Sequence, residues 1–411
     1  MRSPDSYWLE TGPGWAGNGA ALPRRTGVCV LGAGVMGSAL AYWLARAGLR
    51  PLVLERNPGP AMGSSGRNAG RLIQGGNAQH ALAIEEFGHA EALAIYRATL
   101  VNRDLVREVA ARERLEATRF PTAELDLTAC RDEALELERT AEALRADGMA
   151  ADWLDLPAAR GVFGTDLPDT LLGGLYRPDQ DSVHPVAYVR GMAAAAARGG
   201  AEFACGITVT SVEPASGGGW LVTTDAGRVA ADQVVVALNA WTPRLLPELA
   251  PVITPVRGQV VQTAPVPFRI PQWGLDRGLL YGGQARDGSL LIGGLRNTVP
   301  GRDEGIDPPE DGNTPAFSPD LADRLADALP ALLPRATGVP VVRAWSGVMA
   351  FTPDRCPLVG AWPGVDGLWV LAAFNGSGMP YSQVMPEQLA ERIRGGRGDG
   401  IPSVFDPARF L

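Results

Sequence analysis

The sequence predicts an α/β fold organised around a nucleotide-binding βαβ unit. Two observations carry that expectation. Residues 27–56 run strand, glycine turn, helix, strand and terminal acid in that order, and strands return after a helical middle section. The chain is 411 residues long, 46% hydrophobic and 20% charged. That is an ordinary globular composition, with enough residues for two domains or one bilobal unit.

In the βαβ unit, Val28, Val30 and Leu31 read as a buried strand. Gly32, Gly34 and Gly37 then form G-x-G-x-x-G. The first glycine permits the tight turn, the second lets backbone approach a pyrophosphate, and the third lets helix and strand pack closely. Val35 and Met36 open a helix that Ala39, Leu40, Trp43 and Leu44 continue with apolar periodicity. Residues 51–54 form the second strand, closed by Glu55, whose carboxylate can accept from both hydroxyls of an adenosine ribose. Together these parts predict a Rossmann-like dinucleotide-binding domain.

Residues 1–26 read as an irregular extension and 57–77 as a long loop. Helical patterns cover 81–114, 132–147 and 185–198, the last entered at His184 as a helix-start residue. Strands are expected at 205–209, 220–224 and 233–237, then at 252–263 and 279–293. A helix at 321–333, strands at 341–351 and 367–374 and a helix at 386–394 complete the chain. The nucleotide domain is therefore expected to be discontinuous, built from 27–80, 151–245 and 341–411. Residues 81–150 and 246–340 would form the substrate-binding domain.

Composition excludes several functions. A net charge of −8 gives no footprint for nucleic acid or anionic membrane. No apolar run is long enough to span a bilayer, and residues 1–19 lack a secretory h-region. Cys29, Cys130, Cys205 and Cys356 show no C-x-x-C spacing. They read as reduced thiols of a cytoplasmic protein without a metal site. All 37 basic residues are arginine. Catalytic lysines and the lysine of a phosphate-loop NTPase are therefore excluded.

Five blocks, taken with this unit, resemble the FAD-dependent D-amino acid oxidase-like family of amine and amino acid oxidoreductases, the sarcosine, glycine and γ-glutamylputrescine oxidase group. They are the βαβ unit ending in Glu55-Arg56; the loop 63–70, GSSGRNAG; Ile207-Thr208-Val209 with the segment 234–241; Trp345–Met349 with Thr352-Pro353-Asp354; and the segment 374–379, FNGSGM. Ser6-Tyr7-Trp8 is similar to the aromatic arm of the putrescine-oxidase branch. The resemblance implies a glutathione-reductase-type FAD domain and an α+β substrate domain on an antiparallel sheet. It implies that Ser64, Ser65, Arg67, Asn68, Ala69 and Gly70 contact the flavin. Val209, Ala237 and Trp241 would close the adenine end, and Gly376, Ser377, Gly378 and Met379 would present N–H groups to the flavin pyrimidine. A flavin-bonding cysteine of sarcosine oxidases corresponds to Gly347, which implies non-covalent FAD. No second G-x-G-x-x-G occurs, which argues against an NADPH-using monooxygenase.

The implied reaction is oxidation of a C–N bond, with a hydride equivalent passing to flavin N5 and the imine then hydrolysing. The partners are a small-molecule amine and O2 or an electron carrier. An oxidase releasing H2O2 is the leading reading. A dehydrogenase acting on an amine or hydroxy compound and a non-catalytic FAD-binding subunit stand beside it. The family's carboxylate clamp looks altered: its positions read Arg71-Leu72-Ile73-Gln74, Met349 and Asn375. That points away from a small α-amino acid, toward a larger or carboxylate-poor amine. Arg71, Tyr281, Arg286, Arg296, Met349, Asn375 and Tyr381 are the pocket candidates.

Overall fold

The computed structural model describes residues 5–17, 22–76, 79–299, 301, 304 and 317–411. The chain opens with helix α1 (Tyr7–Thr11), β1 (Arg25–Leu31), α2 (Val35–Arg46), β2 (Leu52–Glu55) and the short β3 (Arg71–Leu72). Helices α3 (His80–Phe87) and α4 (His89–Glu113) lead to β4 (Arg119–Thr128), α5 (Arg131–Ala146), β5 (Asp152–Asp155), α6 (Leu156–Phe163) and β6 (Gly173–Val183). Next come α7 (Pro185–Arg198), β7 (Glu202–Cys205), β8 (Val209–Pro214), β9 (Trp220–Thr224) and β10 (Gly227–Val236). Strands β11 (Thr254–Pro265), β12 (Gln272–Leu275), β13 (Leu280–Gln284) and β14 (Ser289–Gly294) precede α8 (Pro319–Leu332). The chain closes with β15 (Val341–Phe351), β16 (Leu358–Ala361), β17 (Leu368–Ala372) and α9 (Val384–Ile393).

Two sheets divide these strands. The first has the order β16-β17-β10-β1-β2-β7, with β9 beside β10 and β8 beside β9. Strands β17, β10, β1, β2 and β7 are mutually parallel. Val30, Leu31, Val53 and Val235 are fully covered, as expected of parallel strands buried on both faces. Helices α2, α7 and α9 cover one face. This is the Rossmann-like domain that the βαβ unit predicted.

The second sheet runs β15-β11-β14-β13-β12-β4-β6-β3, with β5 also on β6. It is mixed rather than wholly antiparallel, because β12 pairs parallel with β4. The loop between β2 and β3 fastens its two edges. Trp345 Nε1 on β15 donates to the Arg67 carbonyl at 2.9 Å, while Arg71 on β3 pairs with Ser182 of β6. Residues 67 and 71 are four positions apart, at most about 14 Å of extended chain. The sheet is therefore curled, and its concave face surrounds a cavity.

The expected helix over 81–114 is two helices, broken at Gly88 with φ 82°. The strand expected at 205–209 ends at Cys205. Gly206 turns there with φ 75°, and its N–H donates to the Asn57 carbonyl. The run 279–293 is a hairpin turned at Gly288. Strands β5 and β6 lie within 151–245 and β15 within 341–411, yet all three join the second sheet. Those boundaries were read from alternating helical and extended runs, which carry no record of long-range ladders.

The third motif glycine fixes how α2 sits on β1. A Cβ on Gly37 would lie 1.9 Å from the Gly32 carbonyl oxygen. Gly37→Ala should cost about 1–3 kcal/mol or more through overpacking. Thermal melting measures this, and an unchanged midpoint would contradict the packing.

Candidate active site

The cavity has a volume of about 660 Å³ and extends from the βαβ turn to the concave face of the second sheet. At the first end stands the N-terminus of α2. Its N-cap residue, Gly34, has no side chain with which to cap it, and Gly34, Val35 and Met36 line the cavity there. The Val35 N–H donates to Ser65 Oγ at 2.9 Å. A helix start with free N–H groups and bare backbone suits an anionic pyrophosphate. Glu55 Oε2 accepts from the Ala33 N–H at 2.8 Å, and Oε1 accepts from the Asn57 backbone and side chain at 2.9 and 2.6 Å. These bonds fix the carboxylate at the strand end, where it lines the cavity with Arg56, Val209, Ala237 and Trp241. Burial first, then the nearby Arg244, holds the Arg56 guanidinium below its usual pKa.

The middle of the cavity is walled by Ser64, Ser65, Arg67, Asn68 and Ala69. Gly376, Ser377, Gly378 and Met379 line it too, and Gly347 packs against Ser64 and Arg67. Arg67 Nη1 is buried without a hydrogen-bond partner among the described residues. Burial also lowers the pKa of this guanidinium. An orphaned buried donor beside helix-start N–H groups and bare glycine backbone fits FAD, whose phosphates and ring carbonyls are all acceptors. A Cβ at Gly347 would stand 3.0 Å from Arg67 Cβ, so this strand position leaves little room for a side chain. Asn375 and Gly376 both adopt positive φ, 54° and 80°.

The segment 5–17 buttresses this wall. Ser6 Oγ donates to the Gly66 carbonyl at 2.6 Å, and Trp8 Nε1 to the Asn68 carbonyl at 2.7 Å. Gly70, at φ 71°, has Val183 O and the Trp8 ring where a Cβ would go. Gly37 and Gly70 pack against neighbouring backbone and do not line the cavity.

Of the pocket candidates, Arg71, Tyr281, Arg296, Met349 and Asn375 line the cavity. Arg71 is committed to Glu124 and lies over the Tyr281 ring, 5.5 Å from its centroid. Asn375 is buried and serves its own loop. Its Oδ1 accepts from the Thr352 N–H at 2.8 Å, and its Nδ2 donates to the Ala373 carbonyl at 2.7 Å. Two expectations fail. Arg286 is exposed and donates to the Ala117 carbonyl, outside the cavity. Tyr381 is buried against Phe374 and Phe405 and does not line the cavity. His184 is the helix-start residue anticipated, its Nδ1 accepting from the Ala187 N–H at 3.2 Å.

The sequence reading missed a polar cluster on the second sheet. Arg177 bridges Glu124 and Asp126, with Nη2 at 2.9 and 2.7 Å from their oxygens. Gln79 Nε2 also donates to Asp126, at 3.2 Å. Tyr96 and His80 line the same region, with their rings edge to face at 5.4 Å. Burial alone would raise the Asp126 carboxyl; the charge of Arg177, then that of Arg71, outweighs it and holds the group below the usual range. Burial pushes the Tyr96 hydroxyl up to about 12, so it stays protonated. The available signal was Glu124-Leu125-Asp126-Leu127. Its leucines face a core while its acids share the other face of the strand. Arg296 lies over the Phe351 ring at 4.6 Å and has no ion pair among the described residues.

Among the described residues no helix is long and apolar enough to cross a membrane. The family described as FAD dependent oxidoreductase (DAO) matches residues 27–392. The chain is 25% identical over 431 residues to mitochondrial dimethylglycine dehydrogenase of Mus musculus. That alignment takes in 100% of this chain and 47% of the relative, so the chain spans about half of that protein's length. It is also 25% identical over 391 residues to a D-amino acid dehydrogenase of Rhizorhabdus wittichii, covering 81% and 88% of the two chains. Among solved structures, glycine oxidase from Geobacillus kaustophilus superposes with a TM-score of 0.79 at 23% identity, covering 93% and 98%. That likeness is one of fold.

Gly34→Glu places bulk and negative charge at the helix start, and should abolish FAD binding. A yellow, fully loaded variant would refute the assignment. Trp8→Phe removes one hydrogen bond from the loop 63–70. It should weaken FAD binding by about 1 kcal/mol, roughly fivefold in Kd. Flavin fluorescence on titration reads the change, and unaltered affinity would show that the segment does not support the loop.

Proposed function

The chain belongs to the FAD-dependent oxidoreductase (DAO) family, and from that premise we propose that it is an oxidase acting on the C–N bond of an amine or amino-acid-like substrate. The observation that carries this reading is one continuous cavity. It joins a helix start capped by no N-cap side chain, a glycine-rich middle and a polar sheet face. When bound, FAD supplies the two-electron acceptor for a hydride equivalent and passes the pair to oxygen, giving imine and H2O2.

The protein's share is positioning and exclusion of water. Gly34 and the α2 N–H groups would hold the pyrophosphate, and Glu55 the ribose. Arg67 offers its unpaired Nη1 to an acceptor on the cofactor. Asn375 locks the turn at Gly376 so that backbone, not side chain, approaches the ring. Tyr281, Met349 and Phe351 line the cavity with Arg71 and Arg296 against the two rings, a setting that would favour the neutral amine that hydride loss requires. Arginine is the only permanently cationic side chain available, so no lysine assists the reaction with oxygen.

That last point favours a second reading, a dehydrogenase that passes electrons to a carrier, and both curated relatives named above are dehydrogenases. Stopped-flow reoxidation of the amine-reduced enzyme in air separates the two. The oxidase reading expects seconds or less, and a half-life of minutes would sink it. If no amine in a broad panel bleaches the flavin anaerobically, the protein is a non-catalytic FAD-binding subunit instead. With Gly347 at the tethering position, acid precipitation should release all the FAD into the supernatant. A yellow pellet would overturn non-covalent binding.

A further inference from the structure

Part of the cavity wall has no task in holding FAD or the reacting carbon. On β4, Glu124 is fully covered and is shared by Arg71 and Arg177. Asp126, two residues on, keeps its side chain 18% exposed. Both bonds it accepts, from Arg177 and Gln79, fall on Oδ2. Its Oδ1 accepts none among the described residues. That oxygen faces Gly274 of the paired strand β12, where a Cβ would lie 2.6 Å away. Any larger residue at 274 would crowd it. The Tyr96 hydroxyl, on a residue 4% exposed, is also buried without a partner among the described residues. Gln79 has spent its amide N–H on Asp126, which leaves its Oε1 with no donor among the described residues.

Asp126, Tyr96 and Gln79 all line the cavity, and each carries an oxygen that accepts no hydrogen bond among the described residues. A primary ammonium carries three donors and no acceptor. Arg177 does not compete, because it is already engaged by Glu124 and by Asp126 Oδ2. Asp126 lies on β4, whereas Gly347 and Met349 lie on β15, and all three line the one cavity. We propose that Asp126, Tyr96 and Gln79 form a subsite for a second cationic group of the substrate, a primary ammonium carried at a distance from the C–N bond that is oxidised. The substrate class is therefore a diamine or another ω-amino compound. This deepens the reading of the cavity as an amine-oxidising site and rests on it.

The test measures binding to the FAD-loaded enzyme by calorimetry, without turnover. The probes are 1,8-diaminooctane, 8-aminooctan-1-ol and 8-aminooctanoate, with their four- and six-carbon analogues. They share one amine and differ only in the charge of the far end. For at least one chain length the diamine should bind about tenfold or more tightly than the amino alcohol. Asp126→Asn and, independently, Gln79→Met should each shrink that ratio, Asp126→Asn to within about twofold. Equal binding of diamine and amino alcohol at every length overturns the proposal, as does a preference that survives both variants. Tightest binding by the amino acid also overturns it and makes Arg296 the anchor of a carboxylate. Should Asp126→Asn not fold, the wild-type ratio and Gln79→Met still decide. Since no flavin reduction is needed, a flavin that no amine bleaches would refute the oxidoreductase reading and leave this result standing on its own.

Discussion

The approach of α2 to β1 at Gly37 governs the rest of the structure. With no Cβ between them, the helix start sits against the Gly32 carbonyl, and its free N–H groups open into the cavity. Ser65 is drawn to the Val35 N–H, which fixes the loop 63–70 against the helix. That loop is in turn bonded to β15 through Arg67 and Trp345, and to β6 through Gly70 and Val183. The two sheets are thus joined through one short loop, itself positioned by a helix terminus. A cavity bounded by both sheets follows from a single missing methyl group.

The electrostatics of the cavity reflect a chain with no lysine. A guanidinium has several donors in a fixed plane and can serve two carboxylates at once, which an ammonium on a flexible stem does less well. Arg177 does so between Glu124 and Asp126. Burial acts to lower its pKa, but the two acids reverse this and keep it protonated. Arg71 adds a second cation on Glu124, so the network is close to neutral and its members are rigidly oriented. Arg296 stands apart, resting on an aromatic face with no carboxylate against it among the described residues.

The nucleotide half of this arrangement was legible in the sequence because its determinants are local. Three glycines, two apolar strands and Glu55 lie within thirty residues, and the structure places Glu55 at the end of β2 as the pattern required. Where the reading failed, long-range contact decided. Arg71 lines the cavity as the motif suggested, but its Nη2 pairs with Glu124, 53 residues away, which the motif does not show. Tyr381 looked like a pocket aromatic, but the neighbouring Phe405 claims its ring. Asp126 was passed over because acids alternating with leucines at 124–127 read equally as the solvent face of an ordinary strand. Its meaning comes from Arg177, Gln79 and Gly274, on three other elements. The curled sheet, with β4 parallel to β12, has no sequence signature at all.

Segment 5–17 lies outside both sheets, yet Ser6 and Trp8 hold carbonyls of the very loop that borders the cofactor cavity. Linkage is reciprocal, so whatever order the loop gains from a bound flavin must return as tighter docking of that segment. Its exposure to a protease then becomes a gauge of cofactor loading, readable on a gel without following the flavin itself.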